Sequence, residues 1–412
     1  MGATPWMTTQ DLVSAVQRKI AMPIYQSTFS TADIQNFLNE EMMISQVPQV
    51  LLLHEEYYVH SLIIPVLTNV SAYSIPERAI GMRLRDIKYV DQQGNFFDMT
   101  QIPPEDKAFF QRAVADSDTI SKFYIQGNDV VLTPSVISSP TGQLAMYYYI
   151  RPNQLVDNSR AAIIADFTKT LTISNNSNIQ AGLSNIVVNG ITFSPVSSYT
   201  GGVNTFVIGV DAPTTAANFV AVFNAGGYLP SSITASNVEG IITLTSLGPI
   251  MTWNINNTGC YTYTNTLNMN FTSTVPANIV PGGLIDFLQT AAGHIIYDYD
   301  ITPVSISTSS MVFNDTDVPL NLVVGDYICQ QYECIIPYLP SDLHNGLADR
   351  ACTRILAAQG DLQGLQASQA KIQEIDQQTM RVLADRAEGT PLKINGRGSI
   401  LRYTSMGNRR RL

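Results

Sequence analysis

Residues 161–285 restrict the fold most strongly, because this long segment is almost free of charge. It contains four charged residues in 125 positions: Asp166, Lys169, Asp211 and Glu239. Ser, Thr, Asn, Gly and Val dominate the rest, and β-branched runs flank the dipeptide Asn189–Gly190, which favours a hairpin with a type I′ turn. One stretch, "APTTAANFVAVFNA", has apolar residues at helical spacing. We therefore predict an inserted, mostly-β domain of ββαββ-like order.

The residues on either side of this segment show helical patterns near both ends of the chain and strand patterns between them. "TTQDLVSAVQRKI" and "FSTADIQNFLNEEM" each begin with a Ser or Thr cap and continue with apolar residues at helical spacing. From His60 the pattern changes to a period of two, which predicts a small antiparallel sheet over about residues 60–155. We assign the fold to the α+β class, with a helical body that carries small antiparallel sheets, the inserted domain and an extended C-terminal arm. The predicted domains are residues 1–160 and 286–388 for the two parts of the body, 161–285 for the insertion and 389–412 for the arm.

A long helical pattern precedes the arm. Residues 341–359 and 361–387 are predicted to form two helices, separated where Gly360 ends the first and Asp361 caps the second. Apolar residues at near-heptad spacing give the second helix a narrow seam, which suits packing against a helix of the same or of another subunit. This seam consists of Leu362, Leu365, Ile372, Ile375, Val382 and Leu383.

Charge is divided unevenly between the arm and the rest of the chain. Residues 389–412 contain six basic residues and no acidic one, whereas the preceding 388 residues contain 17 basic and 33 acidic residues, a net charge of −16. Apolar residues alternate with the basic ones, which favours docking into a groove of a partner protein; contact with nucleic acid and a free tail are the alternatives. The residues assigned to docking are Lys393, Arg397, Arg402, Arg409, Arg410, Arg411 and Leu412.

No motif in the sequence points to catalysis, a cofactor or a metal. G-x-S-x-G, the P-loop and the dinucleotide-binding fingerprint are absent. His54 and His60 lie six positions apart, which places them about 240° apart on a helix and does not fit a zinc-protease pair. Asp298 with Asp300, and Asp315 with Asp317, lack the further ligands of a calcium loop. We predict a protein that is not an enzyme and holds neither cofactor nor metal.

Targeting signals are equally absent from the sequence. The N-terminus lacks the charged and apolar regions of a signal peptide, and no apolar run reaches the roughly 18 residues that a membrane span requires. The four cysteines fit no disulfide or zinc spacing. We expect a protein that is made in the cytoplasm and does not associate with membranes.

The order of several segments resembles the head–tail adaptor (connector, or neck) proteins of tailed bacteriophages. The resemblance rests on "DLVSAVQRKI" and "FSTADIQNFLNEEM", then "YSIPERAIGMRLRDI", "FYIQGNDVVLTP" and "LAMYYYIRP", and finally "VGDYI", "IPYLPSDLHNGLADRACTRILAAQGD" and the terminal "NRRRL". It covers both parts that flank the insertion.

This resemblance implies a homo-oligomeric ring, commonly of twelve subunits, that is seated between the portal and the tail or nozzle protein. The ring would extend the channel through which viral DNA passes without specific binding, and the location would be the virion. Residues 393–412 would be the arm that grips the portal, and the seam between residues 362 and 383 would lie in the ring body. The alternative from another class is a tail- or fibre-associated protein that binds host glycan, for which Trp253, Tyr261 and Tyr263 are the candidate aromatic residues.

Overall fold

The computed structural model describes residues 6–20, 29–106, 122–133, 142–199, 201–225, 233–249, 253–255, 259–263, 265–289 and 296–382. Strands make up 36% and helices 31% of this part of the chain, so the prediction of a helical adaptor body is wrong. The fold is a mixed α/β arrangement in which strands predominate. The N-terminal helices are only 7–11 residues long. In the described parts of residues 59–160 and 286–334, which flank the uncharged segment, most of the buried apolar side chains belong to strands.

The described helices lie in three groups along the chain. Their bounds are Thr9–Lys19 (α1), Thr31–Glu41 (α2), Val47–Leu53 (α3), Ala212–Ala225 (α4), His344–Gln359 (α5) and Leu362–Val382 (α6). A π-helical turn, Met42–Gln46, joins α2 to α3, and short 3₁₀ turns are Glu55–Tyr58, Pro104–Asp106, Asn158–Arg160, Asn176–Asn178 and Ser341–Leu343. The predicted caps of α1 and α2 are confirmed, because Thr8 and Ser30 each form a capping box with the aspartate three residues later.

Of the first nine strands, eight form two four-stranded sheets, and the ninth belongs to a two-stranded sheet. Their bounds are Val59–Pro65 (β1), Ala72–Ser74 (β2), Ala79–Val90 (β3), Phe96–Asp98 (β4), Thr100–Gln101 (β5), Lys122–Gln126 (β6), Asp129–Thr133 (β7), Gln143–Ile150 (β8) and Gln154–Leu155 (β9). The strand order is β1-β8-β3-β4 in one sheet and β2-β7-β6-β5 in the other. These sheets pack with α1, α2, α3 and α5 around the first hydrophobic core.

The remaining strands build a large sheet and a smaller one. Their bounds are Ala161–Ile173 (β10), Ile186–Val188 (β11), Ile191–Val196 (β12), Thr205–Val207 (β13), Ile233–Val238 (β14), Ile241–Ser246 (β15), Trp253–Ile255 (β16), Tyr261–Tyr263 (β17), Thr266–Phe271 (β18), Ile285–Gln289 (β19), Ile296–Ile301 (β20), Ser305–Ile306 (β21), Ser310–Asn314 (β22), Tyr327–Gln330 (β23) and Glu333–Cys334 (β24). The large sheet runs β20-β19-β23-β10-β18-β22-β21, with β14, β15 and β17 attached, and β24 pairs with β9. The small sheet runs β13-β12-β11-β16.

β10 is the strand that connects all three hydrophobic cores. It pairs with β23 at its start, with β18 in its middle and with β15 and β17 at its end. Along it, Ala161 belongs to the first core, Phe167 to the third and Leu171 to the second. β10 therefore links the uncharged segment to the rest of the protein, and the pairing of β18 with β22 is a second link.

The second core is enclosed by the predicted inserted domain, and the third core crosses the predicted domain boundary at residue 285. The Asn189–Gly190 turn is confirmed, since both residues have positive φ (48° and 80°) and Val188 pairs with Ile191. In the third core, Phe167 from the insertion packs together with Phe287 and Phe313 from the segment that follows it. Residues 286–330 thus share a core with the insertion.

Candidate assembly surface

Helix α5 is the centre of the helical layer near the C-terminal end of the described residues. Half of its 16 residues are buried, and it contacts α1, α2 and α6. Gly360 ends it with φ of +75°, and the side chain of Asp361 accepts a hydrogen bond from the Gly364 N–H at 3.0 Å, so the predicted break between the two helices is confirmed. After this two-residue break, α6 packs against α5.

Polar contacts hold α6 against α5. Asp349 of α5 binds Lys371 of α6 and Lys19 of α1, each at 2.9 Å. Arg350 forms an ion pair with Asp376, and the Gln49 amide of α3 approaches the same carboxylate at 3.4 Å. These contacts place the last third of α6 beside α3.

Part of the predicted seam of α6 faces helix α5 of the same chain. Leu365 and Ile372 line a groove of about 340 Å³ together with Arg350, Arg354 and Ala357 of α5. Leu365, Ile372 and Ile375 are half-buried, whereas Leu362 is exposed. Of the remaining seam positions, Val382 is the last residue of α6 and Leu383 lies outside the described residues.

The residues assigned to the docking arm lie outside the described part of the chain. This applies to Lys393, Arg397, Arg402, Arg409, Arg410, Arg411 and Leu412. The structure describes the helix that precedes them, α6, whose exposed side carries glutamines, including Gln363, Gln366 and Gln373. A helix that is tied down on one side and polar on the other can carry an arm away from the folded body.

His344 secures the start of α5. Its Nδ1 accepts a hydrogen bond from the Met7 N–H at 3.1 Å, and its Nε2 therefore donates to the Leu339 carbonyl at 3.2 Å. The Trp6 ring lies 5.8 Å away, centroid to centroid. Burial lowers the pKa of His344 from 6.5 to about 4, so this imidazole is neutral in the folded protein at pH 7.

We expect the free energy of unfolding to fall as the pH is lowered from about 6.5 to 4, because the unfolded chain then binds a proton that folded His344 rejects. A depression of this size corresponds to about 3 kcal/mol across that window. The measurement is the urea midpoint at pH 7 and pH 5. His344→Gln can keep one acceptor and one donor without a titrating group, and it should lose less stability on acidification than the wild type. An equal loss in the two proteins would contradict the assignment.

A buried arginine, Arg78, joins the first sheet to the large sheet, and no sequence pattern marked it. Its side chain is 3% exposed and donates to both oxygens of Asp286, at 2.8 and 3.0 Å, and to both oxygens of Asp300, at 2.7 and 2.9 Å. It also donates to the side-chain amide oxygen Oδ1 of Asn153 at 3.0 Å. The rings of Tyr299 and Tyr332 lie above its guanidinium, at 4.7 and 4.4 Å. The cluster ties residues from β19, β20 and the β8–β9 connection to the residue before β3.

The electrostatics of this cluster indicate a structural junction. Burial raises the pKa of the Asp286 carboxyl, and the attraction of Arg78 opposes that shift. The Asp286 oxygens also accept hydrogen bonds from Asn153 and from the Asp300 and Tyr332 N–H groups, so the carboxylate is fully bonded. The charged centre of the cluster, Arg78 with Asp286, is therefore buried and bonded within the protein, whereas the Asp300 side chain is 37% exposed.

His60 lies beside this junction and has a packing role. Its ring contacts Tyr299 at 4.7 Å and Tyr148 at 5.8 Å, and the two tyrosine hydroxyls bond to each other. Burial and the nearby Arg78 charge lower the pKa of His60 to about 4. The adjoining cavity of about 430 Å³ is lined by His60, Asp298 and Asp317, among others.

The carboxylates of the two aspartate pairs considered as metal ligands bind other side chains instead. Asp298 accepts from Gln289, Asp300 binds Arg78, Asp315 binds Lys169 and Asp317 accepts from Asn314. Among the residues that the structure describes, no group of three or more His, Cys, Asp or Glu side chains could hold a metal ion.

The structure describes two of the three aromatic side chains considered for glycan binding. Tyr261 is buried in the second core and donates to the Ser184 carbonyl at 3.0 Å, and Tyr263 is half-buried beside it. Trp253 belongs to β16, but its side chain is outside the described set. An exposed aromatic platform of Tyr261 and Tyr263 is therefore not formed.

Within the described ranges, no helix has both the length and the apolar character needed to cross a membrane. Neither the sequence models of protein families nor the curated proteins contain a match to this chain.

Proposed function

We propose that this protein is a virion structural protein, a ring-forming adaptor that joins the portal of a tailed bacteriophage to its tail. The observation that carries the proposal is the charge division of the chain: a body with a net charge of −16 is followed by an arm with six basic residues and no acidic one. The base of that arm, α6, is anchored to α5 by the Lys371–Asp349 and Arg350–Asp376 pairs and is polar on its outer side. This arrangement suits an arm that leaves one subunit to dock on another protein.

The acidic body supports the second part of the proposal, which is an extended DNA exit channel. A lumen with the same sign of charge as DNA disfavours binding and lets the duplex pass. The protein would be assembled in the host cytoplasm and would remain in the virion at the interface of head and tail, in contact with the portal above and with a tail or nozzle protein below.

We expect deletion of residues 389–412 to abolish attachment to the portal protein of the same phage while the body stays folded. The physical reason is that the deletion removes every basic residue of the arm and leaves all described contacts of α6 in place. The measurement is co-sedimentation with purified portal rings, with circular dichroism and the urea midpoint as checks on folding.

Two matched variants separate the contributions of the arm. One replaces its six basic residues by glutamine, and the other replaces Ile394, Ile400 and Leu401 by serine. Protein docking predicts that both weaken attachment, whereas a phosphate tether would be sensitive only to the charges and would weaken steeply with salt. A chain that stays monomeric with and without portal, or a truncated chain that attaches as well as the full one, would overturn the proposal.

A further inference from the structure

The four-stranded sheet β1-β8-β3-β4 has a free edge at each end. Among the described residues, β1 pairs with β8 alone and β4 pairs with β3 alone. The two edges lie on opposite flanks of the same sheet, with two strands between them. Free edges normally carry a device that prevents pairing, such as a lysine, a bulge or a covering loop.

Edge strand β1 lacks a charged residue that would disfavour pairing with another strand, referred to below as a charged guard. It spans seven residues without a charged side chain, and Leu62 and Ile63 are 37% and 47% exposed. Long apolar edges of this kind are templates for pairing with another strand. Only Pro65, at its end, limits the pairing.

The backbone register shows which groups of β1 are available. The Val66 N–H donates to the Gly142 carbonyl, and the strand pairs Ile64 with Leu144 and Leu62 with Met146. In an antiparallel ladder, alternate residues exchange both hydrogen bonds with the partner strand. The even-numbered residues therefore bond to β8, and the N–H groups of Ser61 and Ile63 point away from it.

The opposite edge, β4, is three residues long and apolar at its first two positions, and its last residue, Asp98, binds Lys88 at 3.1 Å. Phe96 and Phe97 are 53% and 50% exposed. The Asp91 N–H donates to the Asn95 carbonyl and the Met99 N–H to the Ile87 carbonyl, so the odd-numbered residues bond to β3. The N–H groups of Phe96 and Asp98 are directed outward.

We infer that β1 of one copy pairs with β4 of the next copy, so that the sheet continues from subunit to subunit around the ring; this inference rests on the proposed function. Two unlike edges on opposite flanks form a heterologous contact, which is the type that closes into rings. This contact covers both apolar edges at once, Leu62 and Ile63 on one side and Phe96 and Phe97 on the other. Pairing of β1 with a second β1 would be two-fold symmetric and would leave both phenylalanines in water.

The experiment blocks one edge at a time in the full chain. Ile63→Pro and Phe96→Pro each remove an outward N–H without removing a bond to the neighbouring strand. Ile63→Lys and Phe96→Lys keep the N–H and add a charged guard, and they preserve the test if proline disturbs folding. The control is Val210→Lys, at an apolar residue that is 95% exposed and lies outside this sheet. Native mass spectrometry reports the assembly, and circular dichroism reports folding.

We expect rings from the wild type and the control, monomers from each blocked variant alone, and a one-to-one dimer when an Ile63 variant is mixed with a Phe96 variant. The mixture restores one contact, because each variant keeps the edge that the other lacks. Rings from the blocked variants, or a dimer from a Phe96 variant alone, would overturn the β1–β4 contact. If those rings still bind portal, the adaptor proposal stands. A wild type that is monomeric even with portal would overturn both.

Discussion

Arg78→Ala is expected to lower the free energy of unfolding by about 3–5 kcal/mol, since it leaves two carboxylates beside each other without their shared cation. Asp286 is 1% exposed, and Arg78 is its only cationic partner among the described residues. The substitution also removes the cation–π contacts of the guanidinium with the rings of Tyr299 and Tyr332. The loss should therefore exceed that of an ordinary ion pair.

The measurement is the urea midpoint of Arg78→Ala against that of Arg85→Ala. Arg85 also binds two carboxylates, those of Glu55 and Glu56, but on the surface, where we expect a change of at most about 1 kcal/mol. Arg78→Lys should fall between the two, because lysine keeps the charge but loses the paired hydrogen bonds and the planar stacking.

The pH dependence gives a second test of the same cause. Without Arg78, burial raises the pKa of Asp286 further, so the folded variant binds a proton more readily than the unfolded chain. Its stability deficit should then shrink as the pH falls and grow as the pH rises. A deficit that matches Arg85→Ala, or one that does not depend on pH, would contradict the role of Arg78 as the counter-ion of a buried cluster.

Phe219→Ala is expected to destabilise the second core by about 3–5 kcal/mol, which is the usual cost of emptying a buried phenylalanine site. Phe219 is fully buried on α4, and its ring lies 5.4 Å from Phe193 and from Phe206 and 5.6 Å from Phe223. Each of these contacts adds to the burial term. The helix would lose the residue that fastens it to the small sheet.

The effect should be confined to the inserted segment, because the second core shares no residue with the first. Hydrogen exchange read by mass spectrometry should show lost protection in α4 and β11–β13, with unchanged protection in α5. Val210→Ala, at an exposed residue just before α4, is the control and should change little. Equal loss of protection in α5 would show that the insertion and the body unfold as one unit.

Local signals in the sequence predicted the local structure well. The caps at Thr8 and Ser30, the Asn189–Gly190 turn and the break at Gly360–Asp361 all depend on residues within four positions of each other. Such short-range hydrogen bonds and backbone preferences act before any tertiary contact forms. The α4 helix and the strands around it were predicted for the same reason.

The fold class was the main error, and its cause lies in the pairing of distant strands. The sequence marked helices at both ends of the chain but gave no measure of how far the sheets between them extend. β10 pairs with β23, whose Cys329 lies 168 residues after its partner Ala161, and no local pattern encodes that pairing. The third core therefore crosses the predicted boundary at residue 285.

By itself, the sequence determined where charge is placed, where helices begin and end, and which segments alternate as strands. Only the tertiary structure decided which surfaces meet. The seam of α6 could face any helix, and the structure directs Leu365 and Ile372 toward α5 of the same chain. In the sequence, Arg78 looks no different from Arg83 and Arg85 a few positions further on. Folding brings Asp286 and Asp300 to Arg78 from more than 200 residues away. Periodicity identifies the apolar face of an element, but the element that covers it is chosen by the free energy of the whole packed structure.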